Sequence, residues 1–183
     1  MKWTFEPGHS AAAFRARHMM VTWVRGSFKD VHGTLEFDPH GPPEDMRVEA
    51  VIAAQLCWTG EAARDQHLKS EDFLSCDQYP EIRFRSTRVM RAGANDYDVH
   101  GDLAIRGVTR PVLLSARYHG VWETPWWEDG VDKGPKRRAG FTARTQIDRY
   151  DFGVSWNGNL PHGGLVVSRR VEIILDVEAI RED

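Results

Sequence analysis

A chain of 183 residues with 24 lysines and arginines against 27 aspartates and glutamates carries a formal charge of −3, which excludes the basic excess that nominates a nucleic acid as partner. The length fits one domain with a substantial core, so residues 1–183 are expected to fold as a single unit. No segment approaches the ~20 apolar residues of a spanning helix; the opening MKWTFEPGHS has no apolar run, and the two cysteines, Cys57 and Cys76, make no disulfide framework, so a cytoplasmic protein with reduced thiols is expected.

Trp3 to Glu6 reads as a short strand ended by Pro7-Gly8. Ser10, Ala12, Phe14, Ala16 and His18 then alternate with Ala11, Ala13, Arg15 and Arg17, the period of a strand with one dry and one wet face. In the strand from Gly26 to Phe37, Val31, Gly33, Leu35 and Phe37 share a face, and the change of phase after Phe28 predicts a bulge near Asp30. Asp38 to Pro43 is turn chemistry. Arg47 to Trp58 places Val48, Ala50, Ile52, Ala54, Leu56 and Trp58 on one face, which makes it the best-buried strand. The only helical signal follows, at Glu61 to His67, with a second turn over Glu71 to Leu74 capped by Ser70. Arg83 to Met90 resumes the strands.

The clearest alternation is Tyr97 to Tyr118. Tyr97, Val99, Gly101, Leu103 and Ile105 form the dry face of one strand, Gly107 supports a turn, and Val112, Leu114, Ala116 and Tyr118 form the dry face of the next. Gly120 to Arg138, with Trp122, Pro125, Trp126 and Trp127, reads as a long irregular loop. Gly140 to Ile147 is a strand with Phe141, Ala143, Thr145 and Ile147 together; Asp148 to Asn159 is a polar and aromatic connection; Leu165 to Ala179 is the last strand.

Eight or nine antiparallel strands with short turns must pack as two sheets or close into a barrel. The strands are long, and closure removes the edges they would otherwise expose, which favours the barrel. Small residues recur on the inward faces, among them Ala12, Ala16, Gly33, Ala50, Ala54, Gly101, Ala116 and Ala143, and they predict a cavity in a barrel of about eight strands.

Six segments appear in order: WTFEPGHSAAAFRARHMMV (3–21), GSFKDVHGTLEFD (26–38), RDQHLKSEDFL (64–74), YPEIRFRST (79–87), GDLAIRGVTRPV (101–112) and AGFTARTQIDRYDFGVSWN (139–157). Together they resemble the YceI-like family over nearly the whole chain. The resemblance implies an all-β fold, an eight-stranded antiparallel up-and-down barrel of lipocalin-like shape, with a short helical cover near Arg64 to Leu74. It implies an interior that binds an amphipathic lipid, a polyisoprenoid or quinone-like chain, without catalysis, and it is compatible with a homodimer.

A lipid site needs an apolar tube and one or two polar groups for the head. The tube is placed on Ala12, Phe14, Ala16, Ile52, Ala54, Leu56, Phe84, Leu103, Ile105, Phe141 and Ala143, with the alternative that these residues pack only on each other. His18 and Trp58 fall on the same inward face, and His18 is either a buried histidine bonded to backbone or a partner for a hydroxyl or carbonyl head group. Two polar stretches, Arg64-Asp65-His67 and Asp148-Arg149-Asp151, read as ties of the cover to the barrel rim or as a head-group or catalytic site, and an enzyme acting on a lipid or quinone would work through His18 or Arg64-Asp65-His67. No HxxxH or CxxC pair, GxSxG elbow or glycine-rich phosphate loop is present, so no catalytic residue, metal or cofactor is assigned. Trp122, Trp126 and Trp127 either seal one end of the barrel, touch a membrane transiently, or make a carbohydrate- or protein-binding module.

Overall fold

The computed structural model describes residues 1–182. Its strands are β1 (Lys2–Phe5), β2 (Ala11–His18), β3 (Thr22–Phe28), β4 (Val31–Glu36), β5 (Arg47–Ala53), β6 (Cys57–Trp58), β7 (Glu81–Arg91), β8 (Asp96–Ile105), β9 (Val108–Glu128), β10 (Val131–Asp148) and β11 (Val167–Arg181), with one helix, α1 (Ala62–Lys69), between β6 and β7. β11 pairs with both β1 and β2, β4 with β1 and β5, and β3 with β2 and β6. The first six strands are therefore three kinked staves. With β7, β8, β9, β10 and β11 they make an eight-stave antiparallel meander that closes where β1 meets β11.

Each kink has a local cause. Between β1 and β2 a 3-10 turn, Pro7–His9, is opened by the Glu6 carboxylate accepting from Gly8 N, and Ser10 Oγ accepts from Glu178 N at 3.2 Å to bridge the gap in pairing. Between β3 and β4 Asp30 takes a φ of 61°, in the left-handed region that aspartate tolerates better than most side chains, and this is the bulge expected near Asp30. Between β5 and β6 a 3-10 turn spans Ala54–Leu56.

That last turn overturns the sequence reading of Leu56 and Trp58. An uninterrupted strand would carry both inward, but the turn shifts the phase by one: Cys57 points into the core, and Leu56 and Trp58 face outward at 45% and 63% exposure. Gly120 to Arg138 is likewise no loop. β9 and β10 run through it as one hairpin, with Glu128 opposite Val131 across a two-residue Asp129-Gly130 turn whose residues have φ of 52° and 77°. Positive φ at both centres is the hairpin geometry that Asp-Gly favours. The hairpin escapes notice because it overhangs the barrel and has no dry face; Trp122 and Trp127 stand 75% and 62% exposed.

The barrel has two different ends. At the end carrying the hairpin, the rings of Phe37, Tyr97, Tyr118 and Phe141 pack with Phe37 at the centre, 5.0 to 5.7 Å from the other three. Trp3 Nε1 donates to Phe37 O at 3.0 Å, and Arg91 ties the adjoining turn through Pro39 O. This aromatic plug, not the tryptophans of the hairpin, closes that end.

At the other end lie α1, the turn Arg149–Phe152 and the connection that follows it. Glu61 caps α1 with both carboxylate oxygens, accepting from Ala63 N and Arg64 N. The turn after the helix is held by Ser70, whose hydroxyl donates to His67 O at 2.7 Å and accepts from Asp72 N. Cys57 and Cys76 are both unpaired thiols in the core, and burial pushes the Cys57 pKa up to about 12.

Candidate functional site

Three voids lie in succession inside the molecule. The first, about 140 Å³, is bounded by the plug residues Phe37, Tyr97 and Phe141 and by Ala50, Ala116 and Ala143. The second, about 170 Å³, is bounded by Ala12, Phe14, Ala16, Ile105, Phe152 and Arg149, and shares Ile52, Ile82, Leu103 and Ile173 with the first. The third, about 370 Å³, lies under the cover among Arg17, His18, Arg64, His67 and Trp156, and shares Phe14, Ala16, Leu68, Phe73 and Val167 with the second.

The physical origin of the space is narrower than the sequence suggests. Gly33 and Gly101 contribute none: a Cβ on Gly33 would stand 2.7 Å from the Phe5 ring, and one on Gly101 2.4 Å from Phe84 Cζ. Gly26 likewise receives the Phe14 ring, at 2.3 Å from a built Cβ. These glycines let aromatic rings lie flat against the neighbouring stave. The room comes from the alanines, and inward residues such as Phe84, Ala116, Phe141 and Ala143 are only partly buried although they face the interior of a closed barrel.

Of the residues assigned to the tube, Ile52, Phe84, Leu103, Phe141 and Ala143 line the first void, and Ala12, Phe14, Ala16, Ile52, Leu103 and Ile105 line the second. His18 lines the third. Ala54 is buried but borders none of them, and Leu56 and Trp58 lie outside. The sequence reading missed Leu68, Phe73, Phe152 and Trp156, which come from the cover and the irregular connections, where no alternation exists to mark an inward side.

The two polar stretches serve mainly as ties. Asp65 is buried, with Oδ1 accepting from Thr59 N at 2.8 Å and Thr59 Oγ1 at 2.5 Å, while Arg64 donates to Thr59 Oγ1 and Thr59 O at 2.8 and 3.1 Å. This fastens α1 to the end of β6. His67 Nε2 meets Asp72 Oδ2 at 2.7 Å and sets its ring edge-on to Phe73 and Trp156, at 4.9 and 4.7 Å.

Arg149 is 5% exposed and donates to four backbone carbonyls: Val154 at 2.7 Å, Trp156 and Ser168 at 2.9 Å, and Val167 at 3.1 Å. It holds the connection 153–166 onto the barrel. Asp148 caps the turn through Tyr150 N and pairs with Arg169 at 2.6 Å; the Arg169 hydrogen bond holds its carboxyl below the usual range. Among the described residues no group of three or more His, Cys, Asp or Glu is placed to hold a metal ion. Trp126 lies under the Arg138 guanidinium at 5.1 Å, and none of Trp122, Trp126 and Trp127 borders a void.

A closed eight-stave meander with apolar voids along its axis and a helical cover at one end defines a lipocalin-shaped barrel. The chain belongs to the YceI-like family, whose sequence model for the YceI-like domain matches residues 3–179. Protein YceI of Escherichia coli O17:K52:H18 is 37% identical over 177 residues, spanning 97% of this chain and 84% of that protein. Among solved structures, Burkholderia cenocepacia BcnA superposes with a TM-score of 0.75 at 20% identity, over 95% of this chain and 98% of that one. A polyisoprenoid binding domain from Saccharophagus degradans superposes with a TM-score of 0.66 at 12% identity, over 98% of both. At these identities the two structural likenesses speak for the fold.

Proposed function

We propose that this protein binds an amphipathic lipid of polyisoprenoid or quinone type, tail inward, and sequesters or carries it without chemical change. The observation that carries this reading is the succession of carbon-walled voids left by alanines on facing staves. Membership of the YceI-like family and the fold shared with a polyisoprenoid binding domain support it. At about 0.8 kcal/mol per buried CH₂, one five-carbon unit contributes on the order of 3 to 4 kcal/mol gross, so a few units give useful affinity after ordering costs. Binding is favoured over catalysis because Arg64, Asp65 and Arg149 are occupied by Thr59 and by backbone carbonyls.

Native mass spectrometry of the purified protein, followed by organic extraction, tests this reading. A hydrophobic adduct of isoprenoid mass is expected. A clean apo mass that persists after mixing with polyprenols and quinones refutes it.

A further inference from the structure

The turn between β2 and β3 is costly in two ways. Met19 and Met20 hold its central positions with φ of 47° and 64°, and Val21 N closes it by donating to His18 O at 3.0 Å. Both φ values lie in the left-handed region, which Asn-Gly adopts readily and methionine rarely does. The turn also puts apolar side chains into water, with Met19, Met20 and Val21 at 44%, 58% and 78% exposure. It leans on a second exposed loop, residues 159–165. Met19 N donates to Val166 O at 2.8 Å, and a Cβ built on Gly164 would stand 3.4 Å from Met20 Cγ and 3.5 Å from Leu160 Cδ1.

The two segments that meet there are basic throughout. Residues 11–29, which span β2, the turn and β3, hold Arg15, Arg17, Arg25 and Lys29, and residues 152–171 hold Arg169 and Arg170. Neither segment contains an aspartate or glutamate, in a chain with 27 of them. On the outer wall Arg15 stands opposite Arg25 in the register of β2 and β3, and Arg15 and Arg17 bracket the Trp23 ring at 4.5 and 4.7 Å. Glu172 neutralises Arg15 and Asp148 neutralises Arg169, both at 2.6 Å. The guanidinium groups of Arg17, Arg25 and Arg170 have no carboxylate in ion-pair contact among the described residues. At about 3.3 Å per strand residue, Trp23 and Arg17 lie about 7 Å behind the tip and Arg25 about 13 Å behind it.

We propose that the β2–β3 turn is a docking element for an anionic lipid bilayer: Met19, Met20 and Val21 enter the interface, Trp23 rests at the level of the headgroups, and Arg17, Arg25 and Arg170 meet lipid phosphates. Interfacial elements sink their apolar side about 5 to 10 Å, which matches the distance from the tip to Trp23 and Arg17. Tryptophan is at home at that depth, and each arginine near an anionic surface strengthens binding about fivefold. A nucleic acid would match the arginines but gains nothing from an apolar tip. The overhanging hairpin of β9 and β10 exposes tryptophans too, but Lys133, Lys136 and Arg137 are offset there by Glu123, Glu128, Asp129 and Asp132, so a negative surface does not attract it. Docking does not depend on what the barrel holds, and the lipid-binding reading survives its failure.

The test is sedimentation of the full chain with vesicles of phosphatidylcholine alone or of phosphatidylcholine mixed equally with phosphatidylglycerol. Binding to the anionic vesicles is expected to be about tenfold or more tighter than to the neutral ones, and to weaken as salt is raised. The double substitution Met19→Asn and Met20→Gly installs the residues that the turn geometry prefers, so Tm should hold or rise while vesicle affinity falls about tenfold. Arg25→Gln with Arg170→Gln removes two guanidinium groups that make no described hydrogen bond, and should lower the preference for anionic vesicles about tenfold or more. Trp127→Ala on the overhanging hairpin should leave binding unchanged. Equal affinity for the two vesicle types overturns the proposal, as does binding that persists in both double variants or is lost only in Trp127→Ala. Absence of binding to either vesicle also overturns it and leaves an acidic protein as the partner of this surface.

Discussion

Ala143→Leu asks directly whether the barrel is hollow. Ala143 sits on β10 between Ala116 of β9 and Leu175 of β11, and its methyl faces the 140 Å³ void behind the aromatic plug. Leucine adds three carbon groups. If the space is real they fill it, and at about 0.8 kcal/mol per group the gross gain is about 2.4 kcal/mol. If the inner side chains were already in contact, the same substitution would overpack the core and cost about 1 to 3 kcal/mol. For a chain of this size 1 kcal/mol moves Tm by roughly 2 to 4 °C, so the two cases separate by sign. The delipidated variant should melt about 5 °C above the parent and take up less isoprenoid in native mass spectrometry, because the deepest part of the tail's path is gone. A fall in Tm with uptake unchanged refutes the reasoning about both the void and the tail.

Three further outcomes follow from particular contacts. Gly101→Ala places a methyl 2.4 Å from Phe84 Cζ and 2.6 Å from Arg85 O, and should lower stability to urea by about 1 to 3 kcal/mol, whereas Gly140→Ala, whose Cβ meets only His119 Cβ at 3.6 Å, should change it little. Arg149→Met withdraws donors from four carbonyls and should cost about 3 kcal/mol or more, with faster chymotryptic cleavage near Trp156 as the connection loosens. Asp148→Asn should lose up to about 1 kcal/mol at neutral pH. Because the folded Asp148 pKa lies below its ordinary value of 3.8, its contribution is complete above that value and is lost as pH falls through the lowered one, so parent and variant should converge only in that acid range.

Much of the barrel was legible where a strand has one dry face. Ala12, Phe14 and Ala16, the run Tyr97 to Ile105, and Val171 to Ala179 carry alternation that water on one side and packing on the other impose, and each forms the stave it predicts. The bulge at Asp30 was visible as a change of phase. The overhanging hairpin was not, since no residue of Val121 to Lys136 is fully buried and no dry face imposes apolar residues at every second position, although Asp129-Gly130 was a signal that local turn chemistry alone supplies. Leu56 and Trp58 were misplaced because a 3-10 turn one residue long in phase reverses every side chain beyond it, and nothing in Ala54-Gln55-Leu56 marks that turn.

The order of polar and apolar residues, by itself, determined that this chain is built of long antiparallel strands, favoured their closure into a barrel, and marked which stretches of most staves face its axis, because burial selects a period of two. Only the tertiary structure decided what the interior contains. Alanine and glycine look equally small in a sequence, yet Gly33 and Gly101 are covered by the rings of Phe5 and Phe84 while Ala50, Ala116 and Ala143 front open space. The difference lies in which side chain of the adjoining stave leans over each position. The same holds for charge: Arg64, Asp65 and Arg149 read alike as polar residues of the rim, and it is the fold that turns Asp65 onto Thr59, buries Arg149 among carbonyls, and sets Arg17, His18, Arg64 and His67 beside apolar side chains around the void under the cover.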